Sequence, residues 1–128
     1  DFALAAHGDF SALVTPENPA RAGEIVHLYA QGLGPVDPPV ETGQPAPVAP
    51  LSQAAAPVRC FVPYGQPSGD LPVELFYAGL APGMIGYYQI SVRLPAIIPN
   101  PYYFQLDCEL TLPGGRTAFS GRPPARQD

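Results

Sequence analysis

Two cysteines, Cys60 and Cys108, carry the most definite chemistry of this 128-residue chain. Each lies on the apolar phase of an alternating segment, so both side chains are expected to point into a core. Inward cysteines on different strands either join in a disulfide or remain separate buried thiols, since cysteine also serves as a small core hydrophobe. Taken alone, the two residues leave both alternatives open.

Histidine can act as a general base, and the chain has two, His7 and His27. A hydrolase needs a nucleophile and a base within hydrogen-bond reach, held in place by a third group. The sequence has no Gly-x-Ser-x-Gly motif, and its five serines lie in no recognisable nucleophile context. His27 falls on the polar phase of its segment, which indicates a surface side chain. We therefore predict no catalytic residue and no enzyme.

Metal binding is the next chemistry that these residue types allow. Two histidines and two cysteines match the ligand count of a zinc site, but structural zinc sites place their ligands in close pairs, which this sequence lacks. Calcium prefers oxygen ligands, yet no Asp-x-Asp-x-Asp-Gly spacing occurs. The carboxylates considered for calcium are Asp37, Glu41, Asp70, Asp107 and Glu109. We predict no metal and no other cofactor.

The tyrosines offer a possible binding surface. Tyr87 and Tyr103 lie on the polar phases of their segments, and a glutamine follows each by two residues, at Gln89 and Gln105. If the two segments were neighbouring strands, the four side chains would form one face suited to sugar or protein contact. Ordinary cross-strand aromatic pairing explains the same pattern. We predict these four residues as the candidate binding residues, and cross-strand aromatic pairing is the alternative.

The elements that must position these residues are strands. Period-two alternation predicts strands over residues 10–14, 24–31, 58–62, 102–112 and 116–120, and two more within Val73 to Pro95. Between the latter two, Ala81-Pro82-Gly83-Met84 predicts a type II turn, because Pro82 pre-sets its φ and Gly83 accepts a positive φ. The 19 prolines and 13 glycines fall mostly between the strands, where they would break helices. About seven strands at this spacing predict an all-β, two-sheet β-sandwich.

One connection in this sandwich is long. Residues 36–57 hold six prolines and are interpreted as a Pro-rich arm that crosses from one sheet to the other and shields an edge. A partner-binding loop is the alternative, because long connections in compact domains are often functional. The last residues, 121–128, are polar and are predicted to fray.

Length, composition and net charge limit the classes of protein to which the chain can belong. The length fits a single domain over residues 1–128, and 46% apolar against 13% charged residues favours a compact fold. The net charge of −5 disfavours nucleic-acid binding, because the phosphate backbone is itself anionic. No apolar run approaches the length of a spanning helix, so no membrane insertion is predicted. The chain begins at Asp1 without Met, which suggests a processed product or a domain of a longer protein.

Two longer motifs resemble a known family. They are NPARAGEIVHLYAQGLGPV, residues 18–36, and VELFYAGLAPGMIGYYQISVRLP, residues 73–95. The first matches through Asn-Pro-Ala-Arg-x-Gly-Glu and Gly-Leu-Gly-Pro, and the second through Ala-Gly-Leu-Ala-Pro-Gly-x-x-Gly-x-Tyr-Gln. With His7-Gly8-Asp9, these motifs resemble the Solibacter uncharacterised C-terminal domain family over roughly residues 7–120. Members are immunoglobulin-like modules at the ends of large secreted or surface proteins of acidobacteria.

The resemblance implies an immunoglobulin-like fold in an extracellular location, either secreted or at the cell surface. An oxidising compartment favours the disulfide between Cys60 and Cys108 over two free thiols. The family brings no catalytic residue, so we expect a structural or adhesive module that contacts protein or carbohydrate at the cell surface. Two alternatives remain, a self-associating filament subunit that uses β-strand addition, and an accessory domain of a larger secreted enzyme.

Overall fold

The computed structural model describes residues 4–31, 34–63, 71–98, 102–112 and 114–126, which form an all-β protein. Their strands build two larger antiparallel sheets, of six and four strands, and a small two-stranded sheet. The strands are β1 Leu4–His7, β2 Ala20–Arg21, β3 Ile25–Ala30, β4 Val36–Asp37, β5 Gln53–Ala54, β6 Val58–Val62, β7 Leu71–Pro72, β8 Glu74–Leu80, β9 Tyr88–Arg93, β10 Leu106–Leu112, β11 Gly115–Gly121 and β12 Ala125–Arg126.

The six-stranded sheet has the order β1-β3-β9-β8-β5-β4. The strand predicted over 24–31 is confirmed as β3, and the two strands predicted on either side of the Pro-Gly turn are confirmed as β8 and β9. The turn is also confirmed, since the Met84 N–H donates to the Ala81 carbonyl at 3.1 Å and Gly83 has a φ of 77°.

The strand predicted over residues 10–14 is wrong. The first strand is β1, at residues 4–7, and Leu13 makes only an isolated bridge to Ala6. The chain turns back sharply after β1, because the Phe10 N–H donates to the His7 carbonyl at 2.8 Å and Phe10 itself adopts a φ of 60°. The returning segment therefore runs along β1 and covers the outer edge of that strand.

The four-stranded sheet has the order β11-β10-β6-β7 and contains both cysteines. Cys60 on β6 and Cys108 on β10 are register partners on adjacent antiparallel strands, and they form a disulfide. The strands predicted over 58–62 and 116–120 are confirmed as β6 and β11. The strand predicted over 102–112 begins only at Leu106, because Tyr103 makes an isolated bridge to Pro124 instead.

The apolar inner faces of the two larger sheets share one core. The six-stranded sheet contributes the predicted apolar phases of β3 and β9, and the four-stranded sheet contributes those of β6 and β10. Phe104, on the approach to β10, is fully buried in the same core. The buried core side chains of the four strands are Val26, Leu28, Cys60, Val62, Ile90, Val92, Leu106, Cys108 and Leu110. The predicted β-sandwich is therefore observed.

The Pro-rich arm crosses between the two sheets, as predicted, and is not irregular throughout. Its ends form β4 and β5, which extend the six-stranded sheet beyond β8, and it then leads into β6 of the other sheet. The contact with β8 requires Gly79, because a Cβ there would lie 2.4 Å from the Ser52 carbonyl oxygen. A glycine therefore lets the arm cover the edge of β8.

The prediction of a frayed tail over 121–128 is wrong where the structure describes it, up to residue 126. β12 pairs in parallel with β2, and Ala125 is fully buried in the core. The Ala125 N–H also donates to the Tyr102 carbonyl at 3.0 Å. One small apolar residue among polar neighbours gave too weak a periodic signal to predict this strand.

The disulfide gives the first testable prediction. It closes a loop with a sequence separation of 48 residues, and replacing both cysteines by alanine should lower the free energy of unfolding by about 4 kcal/mol, because the unfolded chain regains the entropy of the open loop. Urea denaturation of the wild type and the double variant measures the difference. Two titratable thiols in the denatured, unreduced wild type would contradict the disulfide.

Candidate functional site

The four candidate binding residues do not form one surface. Gln89 lies on β9 of the six-stranded sheet, whereas Gln105 and Tyr103 precede β10 of the four-stranded sheet, so the two segments are not neighbours. Gln89 is buried, with 8% of its surface exposed. Tyr103 lies under Arg122, whose guanidinium carbon is 5.3 Å from the ring centroid, and Tyr87 precedes β9 at the hairpin end. The expected Tyr and Gln face is therefore wrong.

The polar phases of β3 and β9 instead build a buried hydrogen-bond network. His27 and Ser91 are register partners on the face opposite the core, and both are buried. The Nε2 atom of His27 is 3.0 Å from the Gly8 carbonyl, which can only accept, so Nε2 carries the proton. The Ser91 hydroxyl then donates to His27 Nδ1 at 2.6 Å and accepts from Gln89 Nε2 at 2.9 Å. No buried side-chain nitrogen or oxygen of the described residues, in this network or elsewhere, lacks a hydrogen-bond partner.

The loop after β1 covers this network. The Phe10 ring stacks on the His27 ring, with their centroids 3.9 Å apart and an angle of 9° between the planes. Phe10 has a positive φ, which is uncommon for a residue with a bulky side chain. The interpretation of His27 as a surface side chain is therefore wrong, because the loop carries an aromatic ring over the polar phase of β3.

A serine hydrogen-bonded to a histidine is the arrangement of a nucleophile and its base. Here Ser91 is only 4% exposed, and four cavities that described residues line include neither Ser91 nor His27. The Phe10 ring also covers one face of the His27 ring. The arrangement holds the loop onto the sheet and offers no exposed nucleophile.

A second histidine ties β1 to the turn before β3. His7 Nδ1 contacts the Glu24 carboxylate, and His7 Nε2 lies 3.0 Å from the Asn18 carbonyl. Both partners are acceptors, so only the imidazolium form, with two N–H donors, satisfies both contacts. The other carboxylate oxygen of Glu24 accepts the Arg21 N–H at 2.9 Å. The protonated ring therefore holds β1 to the turn before β3.

The electrostatics of His7 favour that protonated form. Burial lowers its pKa, but this effect is outweighed by the hydrogen bonds to Glu24 and Asn18 and by the charges of Glu24 and Asp9, so the pKa is raised above 6.5. Asp9 remains ionised, because the Ser11 side chain and backbone N–H hold the pKa of its carboxyl down. His7, Asp9 and Glu24 line a surface concavity that Arg93 also lines. The Arg93 guanidinium donates a hydrogen bond to the Gly23 carbonyl at 3.1 Å.

An open groove lies at the other end of the six-stranded sheet, between the Pro-rich arm and the β8–β9 hairpin, and we call it the arm–hairpin groove. Its volume is about 430 Å³. Its walls are Gly34, Pro35, Val36, Pro39, Val40, Glu41, Thr42, Gly43, Gln44, Leu80, Gly86 and Tyr88. Most of the lining is apolar, and Glu41, Thr42 and Gln44 add polar groups. Its size and composition fall within the range of ligand sites in proteins.

Hydrogen bonds fix the walls of the groove. The Ala46 N–H donates to the Met84 carbonyl at 2.9 Å, and the Gly83 N–H donates to the Ala46 carbonyl at 2.8 Å. At the base, the Tyr88 hydroxyl donates to the Gly34 carbonyl at 2.6 Å, and burial raises the pKa of that hydroxyl. The arm is therefore joined to the hairpin through Ala46, and Tyr88 joins β9 to the segment before the arm, so that hydrogen bonds hold the groove in shape.

Exposed apolar side chains adjoin the groove. Val48 on the arm is 71% exposed, and Ile85 and Met84 at the hairpin tip are 56% and 40% exposed. Pro82 and Gly83 form the turn that presents this tip, so their role is to shape the hairpin. No sequence pattern predicted that these segments meet, because only the folded arm brings Ala46 into contact with Gly83 and Met84.

The described part of the chain contains no group of three His, Cys, Asp or Glu residues placed to hold a metal ion, and Asp70 lies outside it. It also contains no helix long and apolar enough to cross a membrane. No protein-family model, curated protein or solved structure matches the chain. The family resemblance therefore stays a prediction from its motifs, and function has to be inferred from the geometry of a disulfide-bonded β-sandwich.

The His7 contacts predict a pH dependence of stability. Because the folded pKa of His7 is raised above 6.5, its contribution is fully present below the unfolded pKa and is lost as the pH rises through the folded value. We expect the free energy of unfolding to fall as the pH increases from about 6 to 9. Denaturant titrations across this range measure it, with His7→Gln as the control that flattens the change. An equal decline in His7→Gln would assign it to another group.

The buried network predicts a cost for removing its central hydroxyl. Ser91→Ala removes the hydroxyl that bonds both His27 and Gln89 and leaves them only the longer contact between Gln89 Nε2 and His27 Nδ1, at 3.5 Å, so we expect a loss of about 1–3 kcal/mol in the free energy of unfolding. Thr111→Val, which removes a hydroxyl at an exposed position of β10, is the control and should change stability by less than about 0.5 kcal/mol. A fluorophosphonate probe should leave the wild type unmodified. Labelling of Ser91 would contradict its structural role.

Proposed function

We propose that this chain is a non-enzymatic structural or adhesive module of an extracellular surface, and that it acts through contact with a protein. The observation that carries the proposal is the arm–hairpin groove with its adjoining apolar side chains. The groove is held open by backbone hydrogen bonds, so binding does not have to order it first. Val48, Met84 and Ile85 supply apolar area beside it.

The groove favours a protein partner over a carbohydrate. Sugar sites stack their ligand on exposed aromatic rings, whereas Tyr88 is half-buried and its hydroxyl already donates to Gly34. Prolines and aliphatic side chains dominate the walls, which suits an extended peptide segment. The extracellular location is supported by the disulfide, because disulfides form and persist in oxidising compartments. An accessory role beside a secreted enzyme stays a prediction from the family resemblance alone.

Self-association is the second candidate function, and one observation favours it. Strand β11 is a seven-residue edge of the four-stranded sheet, and long unprotected edges readily accept another strand. Association between copies of the chain would use this edge.

Two matched isoleucines allow a test of the arm–hairpin groove. Ile85 at the hairpin tip and Ile97 beyond the far end of β9 are both 56% exposed. The tagged chain would be applied to an array of extracellular proteins and to a glycan array. We expect the wild type to bind a protein on the array. The double variant Met84→Ser, Ile85→Ser should bind about tenfold more weakly, because it loses two central apolar contacts. The control variant Ile97→Ser should bind like the wild type.

Several results would overturn the proposal. Binding to glycans alone would replace the protein partner with a sugar. Equal weakening by Ile97→Ser would move the contact surface away from the groove. If the chain bound to neither array although circular dichroism showed it to be folded, the proposed adhesive function would be wrong.

A further inference from the structure

The four edges of the two larger sheets differ in how they are protected. The returning segment around Leu13 covers β1, and β4 has only two residues and ends at Pro38. The opposite edge of the four-stranded sheet, β7, is also two residues long and contains Pro72. Short strands, prolines and covering segments are the usual ways of blunting an edge. Only β11 is long and free of proline among these described edges.

The register identifies which backbone groups of β11 are free. Cys60 and Cys108 have Cα atoms 4.0 Å apart, which marks a non-hydrogen-bonded pair, so the backbone groups of Cys108 face β11. The Thr111 N–H agrees, because it donates to Pro57 on the β6 side at 3.1 Å. Phe119, the β11 partner of Cys108, therefore bonds to β10. The intervening residues Arg116, Ala118 and Ser120 direct their N–H and C=O groups outward.

No strand or loop backbone among the described residues pairs with this outward side of β11. The outward groups lie at every second position and are centred on Ala118. An antiparallel copy of the same strand presents an identical spacing. If Ala118 lies opposite Ala118 of the second copy, three hydrogen-bonded residue pairs form across the two strands. They are Arg116 with Ser120, Ala118 with Ala118 and Ser120 with Arg116, and the two residues of each pair exchange both N–H···O bonds.

The charges fit the same register. Arg116 is the only charged residue of β11, and the two-fold arrangement sets it opposite Ser120 rather than opposite another arginine. Ser120 is itself the register partner of Asp107 on β10. Asp107 of one copy and Arg116 of the other therefore share a row, two strand spacings or about 10 Å apart. The two-fold register therefore sets no two like charges directly opposite each other, as a symmetric pairing of two copies requires.

We propose that β11 pairs antiparallel with β11 of a second copy about a two-fold axis through Ala118, joining two four-stranded sheets into one. The inference rests on self-association, the second candidate function, and is independent of the arm–hairpin groove. The symmetry closes the assembly at two copies, since each copy uses its β11 edge once. The edge yields a dimer and not a filament.

Substitutions at the two-fold axis test this arrangement. Ala118 is exposed, so Ala118→Lys and Ala118→Glu should both fold, which circular dichroism checks. In a symmetric pair each substitution faces its own copy and repels it, and we expect dimerisation to weaken about fivefold. An equimolar mixture of the two variants sets lysine opposite glutamate, and it should associate about tenfold more tightly than either variant alone. Sedimentation equilibrium over a range of concentrations gives each dissociation constant.

The control variant carries its new charge on the other sheet. Gln53→Lys places the same charge at an exposed position of the other sheet and should leave the dimer unchanged. A wild type that remains monomeric at all concentrations would overturn the proposal and the self-association beneath it. Association that survives Ala118→Lys undiminished, or a mixture no tighter than its components, would overturn the two-fold pairing alone. None of these results depends on the arrays that test the arm–hairpin groove.

Discussion

The hydrogen bonds that connect Gln89, Ser91 and His27 to the Gly8 carbonyl hold a loop across the outer face of β3 and β9. This face is normally the wet side of an antiparallel sheet. Here Phe10 closes over it, so the polar side chains of the central strands must satisfy one another. A buried network of this kind costs stability wherever one member is left unpaired. The part of this face that the loop covers is therefore closed to a partner.

The sequence predicted the elements that depend on local chemistry. Alternation located the central strands, and the Pro82-Gly83 pair specified its turn, because both signals lie within a few neighbouring residues. The cysteine pairing followed only when the apolar phases of both residues were combined with the oxidising compartment that the family resemblance implies. The disulfide joins register partners within one sheet, however, and that depended on a strand order that no local signal encodes.

The errors share one physical cause. Alternation gives the phase of a side chain but not what lies over it, so Gln89 and His27 were assigned to the surface although a distant segment covers them. The same limit applies to Ala125, whose burial depends on β2, more than 100 positions earlier in the chain. The groove was beyond prediction for the same reason, because its two walls meet only through contacts such as Ala46 to Met84.

The disulfide connects the core to the edge of the molecule. A slip of one residue between β6 and β10 would turn every side chain of β10 to the opposite face, and the bond between Cys60 and Cys108 forbids that slip. The position of β10 in turn determines which backbone groups of β11 pair inward. The outward direction of the backbone groups of Arg116, Ala118 and Ser120 thus depends on a register that the disulfide, ending on the neighbouring strand, helps to hold. A chain that lacked the bond would lose stability and also the fixed spacing that a second strand has to match.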